Sequence, residues 1–332
     1  MTERPRVFVS DAMQSLAAAG RDPLAPLRAR ADCAVWGSPH RPTPEELCEA
    51  VRGADALVCL LTDRVDASVI EAGDSLRVIS SVSVGLDHVD VVAASARGIP
   101  VGYTPGVLTE TTAELTIALL LAVSRRLVEA DGDVRSGFWK PERRWTLDGY
   151  LGRDLAGATL GIVGLGAIGQ AVAARAAAFG MRLLGWSRSG RSVPGVKGVP
   201  LDELLAESDV VSLHVASTPE TRGLIDAAAI AHMKRDAVLI NTARGDIVRE
   251  ADLVAALAAG RLGGAGLDVF ADEPIGADHP LVGLPNVVLT PHIGSATRTT
   301  RLRMADLAIA NVLAVFDGEL PPYCANRDDL RR

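Results

Sequence analysis

The chain is predicted to be an α/β protein with two doubly wound domains, each built on a parallel sheet. Three observations point there. Short apolar, β-branched runs alternate with helical stretches through the first hundred residues, and a second such series begins near Leu160. Within that second series, LGIVGLGAIGQAVAARAAAFGMRLLGWSRSGR reads as strand, glycine turn, helix and strand from Leu160 to Arg191.

In the first series the runs at 6–9, 56–61 and 77–81 are expected strands, and 13–19, 44–51 and 89–97 are expected helices. A longer helix follows Thr109. Its apolar stretch, 115–123, is too short to cross a bilayer and is flanked by Glu114 and Arg125, so it is expected to be buried. Residues 132–153 carry turn and aromatic character, which suggests an arm between domains or subunits. Six strands are then expected at 160–163, 183–186, 210–213, 238–241, 264–267 and 287–289, making one doubly wound domain. Helical spacing of Leu302, Ala305, Leu307, Ile309 and Val312 predicts a helix over 295–313 that crosses back to the first domain. The expected division is residues 1–102 with 294–332 in one domain and 103–293 in the other.

Length and composition narrow the function. At 332 residues with 48% hydrophobic content, the chain has material for two cores. A net charge of −7 with scattered arginines argues against a nucleic-acid partner. The four cysteines, Cys33, Cys48, Cys59 and Cys324, form no CxxC pair and no metal-ligand spacing, as expected for reduced thiols in a cytoplasmic protein without a metal. The opening MTERPRVFVS leads into a strand with no apolar signal segment, so neither export nor a membrane partner is expected.

The glycines give the first chemistry. Gly164 allows a tight turn after a strand, Gly166 leaves bare backbone for a pyrophosphate, and Gly169 lets the helix starting near Ala167 pack against the strand. The free N–H groups at that helix's N-terminus then face negative charge. This is the pattern of a Rossmann-like domain binding a nicotinamide dinucleotide. Roughly 20 residues on, an acid would hydrogen-bond the adenosine ribose of NAD. Ser187, Arg188 and Arg191 stand there instead, with no acid before Asp202, so NADP is the favoured cofactor and NAD a possible one.

Ligands in open α/β sheets sit at the carboxyl ends of strands. Arg244 in NTARGD, Glu273 in GLDVFADEP and His292 in LTPHIGS all follow expected strands, and together supply an anion clamp, a carboxylate and an acid/base group. In SVSVGLDHVD, YTPGVLTETTAELTIALLLAVSRR, GIVGLGAIGQAVA, NTARGDIV, GLDVFADEP and LTPHIGSAT the chain resembles the D-isomer-specific 2-hydroxyacid dehydrogenases, and within them the glyoxylate/hydroxypyruvate reductases.

That resemblance implies a flavodoxin-like substrate domain made from both chain ends, an NAD(P)-binding Rossmann domain, and a homodimer. It implies that Arg244, Glu273 and His292 are catalytic, and that Val84, Gly85 and Ser295 join Arg244 and His292 in holding the substrate. It also implies that Ala167 and Ile168 meet the pyrophosphate, with further cofactor contacts from Thr112, Thr218, Thr221, Thr242, Ala243, Asp268 and Gly294, and Arg244 and His292 beside them. Ala216 stands where the family often has proline, while Thr218, Pro219 and Thr221 keep the rest of that adenine-side loop. Ser81 to Val84 offer no arginine for a phosphate, Val84 is not the lysine of a phosphite enzyme, and Glu273 is not the glutamine of a formate enzyme. Small 2-keto acids such as glyoxylate and hydroxypyruvate are left, reduced by NADPH to D-2-hydroxy acids. An alternative on the same fold is a dinucleotide-sensing, corepressor-like binding protein.

Overall fold

The computed structural model describes residues 4–13, 16, 21–143 and 145–330. The chain divides into two compact units, Met1–Leu108 with Ala296–Arg332, and Thr109–Ser295. The breaks expected from sequence, 102/103 and 293/294, lie a few residues upstream of these. Residues 103–108 stay with the first unit because the Thr104 N–H and hydroxyl both donate to the Ser83 carbonyl, and the second unit begins where the helix starting at Thr109 begins.

The first unit runs β1 (Arg6–Val9), α1 (Ala25–Arg28), β2 (Asp32–Val35), α2 (Pro44–Ala50), β3 (Ala56–Cys59), α3 (Ala67–Ala72), β4 (Val78–Ser81), α4 (Val91–Ala96) and β5 (Val101–Gly102), and is completed by the C-terminal helix Arg298–Phe316. All strand pairs are parallel, in the order β2-β1-β3-β4-β5. Period-two alternation sorts the strand residues onto two faces. Phe8, Leu57, Cys59 and Ile79 pack with Leu47, Val69 and Ile70 on one side, while Val7, Val9, Ala56, Val58 and Val78 pack with Ala305, Ile309 and Val312 of the C-terminal helix on the other. Helix starts follow their caps. Thr43 and Glu46 form a reciprocal capping box ahead of α2, with Pro44 in its first turn, and Asp66 and Asp90 cap α3 and α4.

Several expectations are corrected here. The strand at 56–61 ends at Cys59, because the Leu60 N–H turns to the Asp63 carboxylate at 2.6 Å. The strand at 77–81 begins at Val78. Strands β2 and β5 and helices α1 and α3 were not anticipated, and the C-terminal helix runs three residues beyond the expected Leu313. The helix expected over 13–19 lies mostly outside the described residues.

The second unit contains β6 (Thr159–Val163), β7 (Arg182–Trp186), β8 (Lys197–Gly198), β9 (Val210–Leu213), β10 (Val238–Asn241), β11 (Gly264–Leu267) and β12 (Val287–Leu289), with helices α5 (Thr109–Ser124), α6 (Leu127–Arg135), α7 (Ala167–Ala178), α8 (Leu201–Glu207), α9 (Ala227–His232) and α10 (Glu250–Ala258). The six expected strands are present, and the two-residue β8 adds a seventh at the edge. Order β12-β11-β10-β9-β6-β7-β8 puts the topological switch between β6 and β9, where a parallel sheet leaves a ligand crevice. The apolar helix α5 is buried as expected, through Ile117, Leu119 and Leu120 against Leu160, Ile162 and Ile240. Helix α6 has no buried residue, and Leu127, Val128, Val134, Phe138, Trp139, Trp145, Leu147 and Leu151 are all exposed.

The edge strand β5 is closed by the C-terminal tail. Ala325 N–H donates to the Val101 carbonyl, and the buried Asn326 accepts from Val101 N–H and donates to the Ile99 carbonyl, both at 2.9 Å. Asn326→Leu leaves both backbone groups without partners and is expected to destabilise the protein by about 1–3 kcal/mol per unsatisfied group, read as a lower urea midpoint; an unchanged midpoint would show that the tail carries no such weight.

Candidate active site

The strand-to-helix turn after β6 is shaped by close approach. Gly164 has φ +105°, and a Cβ there would overlap the His214 carbonyl on the neighbouring strand's loop. A Cβ on Gly169 would overlap the Gly164 carbonyl, so helix α7 lies directly against the turn. Gly166 caps α7 with no side chain and has open space where a Cβ would point; Gly166 and Ala167 are exposed and Ile168 is half-buried. The first N–H groups of a helix have no intrahelical acceptor. Bare backbone, open space and unpaired donors fit the pyrophosphate of a dinucleotide.

After β7, Ser187 Oγ accepts from the Arg191 N–H at 2.8 Å, which folds the loop back on itself. Arg188 is exposed, and its nearest carboxylate is Glu220, 3.9 Å away. The loop that lacks the family proline at Ala216 is held by Thr221 instead, whose hydroxyl donates to the Ala216 carbonyl at 2.6 Å and accepts from the Thr218 N–H at 2.8 Å. His214 bonds Ser212 through Nε2 at 2.8 Å, and burial pushes its imidazole down to about 4. It is therefore neutral at physiological pH.

The loops after β10, β11 and β12 bring the chemical groups together. Asn241, at the end of β10, accepts from the Ala243 N–H and donates to the Arg244 carbonyl, fixing the NTARG loop. Thr242 shares a hydrogen bond of 2.8 Å with Thr116 of α5, and Thr112 donates to the Gly294 carbonyl at 3.2 Å. Asp268 is buried and collects donors: Thr290 Oγ1 at 2.6 Å, Ile293 N–H at 2.7 Å and Gly294 N–H at 2.8 Å. Burial pushes the Asp268 carboxyl above its ordinary value, against these donors and the nearby charge of His292.

His292 sits at φ +53°, an uncommon left-handed conformation for a side-chain-bearing residue. Its Nδ1 lies 2.8 Å from Glu273 Oε2, while Glu273 Oε1 accepts from the Phe270 N–H at 3.0 Å. Burial raises the Glu273 carboxyl, but the hydrogen bond and charge of His292, the Phe270 N–H and the charge of Arg244 outweigh it and hold the group below its ordinary value. The His292 Nε2 has no hydrogen bond among the described residues, so one ring nitrogen is oriented and the other is available.

Of the residues singled out from sequence, Arg244, Glu273, His292, Asp268, Thr112, Thr242, Ala243, Gly294 and Ser295 all lie in the second unit, with the glycine turn and the Ser187–Arg191 loop. Val84 and Gly85 lie in the first, half-buried, where Ser83 Oγ donates to the Gly85 carbonyl and Ser81 Oγ meets His88 Nε2. Sequence reasoning passed over Thr116, Asn241 and Thr290, which hold the loops in place. Asn241 and Thr290, at strand ends inside quoted motifs, carried the signal that was available. Among the described residues no cluster of His, Cys, Asp and Glu could hold a metal, and no helix is long and apolar enough to cross a membrane.

Residues 117–294 match the family model for the D-isomer specific 2-hydroxyacid dehydrogenase, NAD binding domain. The chain is 46% identical over 329 residues to a glyoxylate reductase of Korarchaeum cryptofilum, covering 98% of this chain and 97% of that protein. It is 48% identical over 295 residues to a glyoxylate reductase of Thermofilum pendens, covering 87% and 86% respectively. The crystal structure of an NADPH-dependent glyoxylate/hydroxypyruvate reductase from Sinorhizobium meliloti, in complex with NADP and malonate, superposes with a TM-score of 0.87 at 33% identity, over 99% of both chains. A family match over more than half the chain, joined to full-length relatives, makes this protein a member of the D-isomer specific 2-hydroxyacid dehydrogenases and an NAD(P)-dependent oxidoreductase.

Proposed function

We propose that the protein reduces small 2-keto acids, glyoxylate and hydroxypyruvate, to D-2-hydroxy acids with NADPH. The observation that carries this reading is the His292–Glu273 pair at 2.8 Å, whose charge balance also includes Arg244. Relatives named glyoxylate reductase and the NADPH-dependent neighbour support the substrate class and the cofactor.

A bound reduced nicotinamide supplies the hydride. Gly164, Gly166, Ala167, Ile168 and Gly169 hold its pyrophosphate, Thr218 and Thr221 flank its adenine end, and Thr112, Thr242, Ala243, Asp268 and Gly294 stand at its reactive end. Arg244 pairs with the substrate carboxylate and polarises the carbonyl. Ser295 adds a further substrate contact in this unit, and the family resemblance assigns substrate-binding backbone N–H groups to Val84 and Gly85 of the first unit. His292 as the imidazolium donates a proton from Nε2 to the carbonyl oxygen, and Glu273 favours that charged form and fixes the ring. Four free cysteines agree with a cytoplasmic setting.

The first experiment measures loss of reduced-nicotinamide absorbance with glyoxylate, hydroxypyruvate and pyruvate, each with NADPH and NADH. Turnover with the first two and NADPH is expected, and His292→Ala should lower it at least about a hundredfold while NADPH still binds; near-normal turnover removes His292 from the mechanism.

Cofactor choice is assigned to the loop after β7. Arg188 and Arg191 supply the positive charge for a 2′-phosphate, and Ser187 occupies the place of the ribose-binding acid. Ser187→Asp with Arg188→Ala is expected to shift the ratio of kcat/KM values toward NADH, and a constant ratio would put the phosphate clamp elsewhere.

Leu127, Val128, Val134, Phe138, Trp139, Trp145, Leu147 and Leu151 expose large apolar side chains along one short stretch of chain, the kind of surface that marks an interaction site. We assign it to a homodimer contact. Sedimentation velocity should give a dimer for the native chain and a monomer for Val128→Glu with Trp139→Glu; a native monomer rejects the assignment.

A further inference from the structure

A second histidine–carboxylate pair, His279 with Glu250, stands across the turn that carries Glu273. We propose that Glu250 and His279 position the Glu273 carboxylate, and through it His292, by pinning the turn that follows β11. The inference rests on the reading of Glu273 and His292 as catalytic.

Two consecutive backbone N–H groups in that turn go to different carboxylates. The Phe270 N–H donates to Glu273 Oε1 at 3.0 Å, and the next N–H, of Ala271, donates to Glu250 Oε2 at 3.2 Å. Glu250 is the first residue of α10, so its backbone is fixed by a regular element. Its other oxygen lies 3.0 Å from His279 Nε2. His279 Nδ1 accepts the Leu281 N–H at 3.4 Å, which assigns the ring proton to Nε2 and makes His279 the donor to Glu250. Leu281 is fully buried, so this end of the chain of contacts is anchored in the core. The His279 ring also stands edge-on to Phe270, with centroids 6.4 Å apart.

The third wall is Gly245, next to Arg244. A Cβ there would overlap the Phe270 carbonyl, so the Arg244 loop is packed onto the same peptide group. The two peptide groups flanking Phe270 are thus both held, the Val269–Phe270 peptide by Glu273 and the Phe270–Ala271 peptide by Glu250 and the backbone of the Arg244 loop. The charges acting on Glu273 are those of His292 and Arg244 on its own side, with the Glu250 carboxylate, paired to His279, across the turn. A carboxylate displaced by a fraction of an ångström loses its line to Nδ1, and such misplacement is costly to a proton transfer.

The full-length enzyme carrying Glu250→Ala, His279→Ala or His279→Gln is assayed with glyoxylate and NADPH across pH, with cofactor affinity taken from fluorescence titration and His292→Ala as a control. Glu250→Ala and His279→Ala should lower kcat about tenfold with KM and NADPH affinity changed less than about twofold. Loosening Glu273 from the groups that favour its charge should move the acid limb of kcat upward by about half a pH unit. His279→Gln, which retains a donor for Glu250, should recover most of the loss. An unchanged kcat and acid limb in Glu250→Ala overturns the proposal. So does a joint fall in kcat and cofactor affinity with an unmoved limb, which marks general destabilisation. A His292→Ala control that keeps turnover shows instead that the catalytic reading beneath it has failed.

Discussion

A parallel strand cannot return through a tight hairpin, so each one must be followed by a crossover, and every crossover begins at the same edge of the sheet. That constraint organises the second unit. Six of its seven strands deliver Gly164, Ser187, His214, Thr242 to Arg244, Asp268 and Thr290 to His292 to one edge, although these residues span well over a hundred positions in sequence. The reversal of strand order between β6 and β9 then opens the crevice beside Gly164 and His214. Residues that look unrelated along the chain become neighbours because the crossovers all run the same way.

Along that edge, buried carboxylates act on backbone rather than on each other. Asp268 takes the Ile293 and Gly294 N–H groups, and its own carbonyl accepts the His292 N–H at 2.9 Å. Three consecutive backbone donors, of His292, Ile293 and Gly294, therefore close on one residue. This is how a histidine is kept at φ +53°, a conformation that costs on the order of 1 kcal/mol or more unless its surroundings over-determine it. The ring then projects from a fixed backbone, and Glu273 has only to set its rotation. Threonines do the corresponding work beside the same loops, where Thr112 and Thr116 of α5 bond Gly294 and Thr242 and so tie α5 to the loops after β12 and β10.

The parts of the fold legible in sequence were those whose local pattern and burial agree. β6, β9, β10 and β11 are buried along their whole length and read as uninterrupted apolar or small-residue runs. β2 was missed because an edge strand alternates exposed and half-buried residues, as DCAV does. β5 and β8 were missed because two residues carry no periodicity, and β5 depends on Asn326 from the far end of the chain. The same division holds for the site. Residues inside compact motifs were visible, whereas Glu250 and His279 stand 29 positions apart and meet only after α10 and the turn beyond β11 have been placed.

The two histidine–carboxylate pairs of this unit have the same chemistry and opposite fates, decided by the second ring nitrogen. His279 spends both nitrogens on protein, Nε2 on Glu250 and Nδ1 on the Leu281 N–H, so its proton is committed. His292 spends only Nδ1, on Glu273, and its Nε2 has no hydrogen bond among the described residues. A histidine with one nitrogen oriented and one open can gain and lose a proton without breaking the fold; a histidine with both engaged cannot. Of the three histidines near this edge, His214 is held neutral by burial and His279 is tied down on both sides. His292 alone among them combines a ring oriented by a carboxylate with a second nitrogen that makes no hydrogen bond among the described residues.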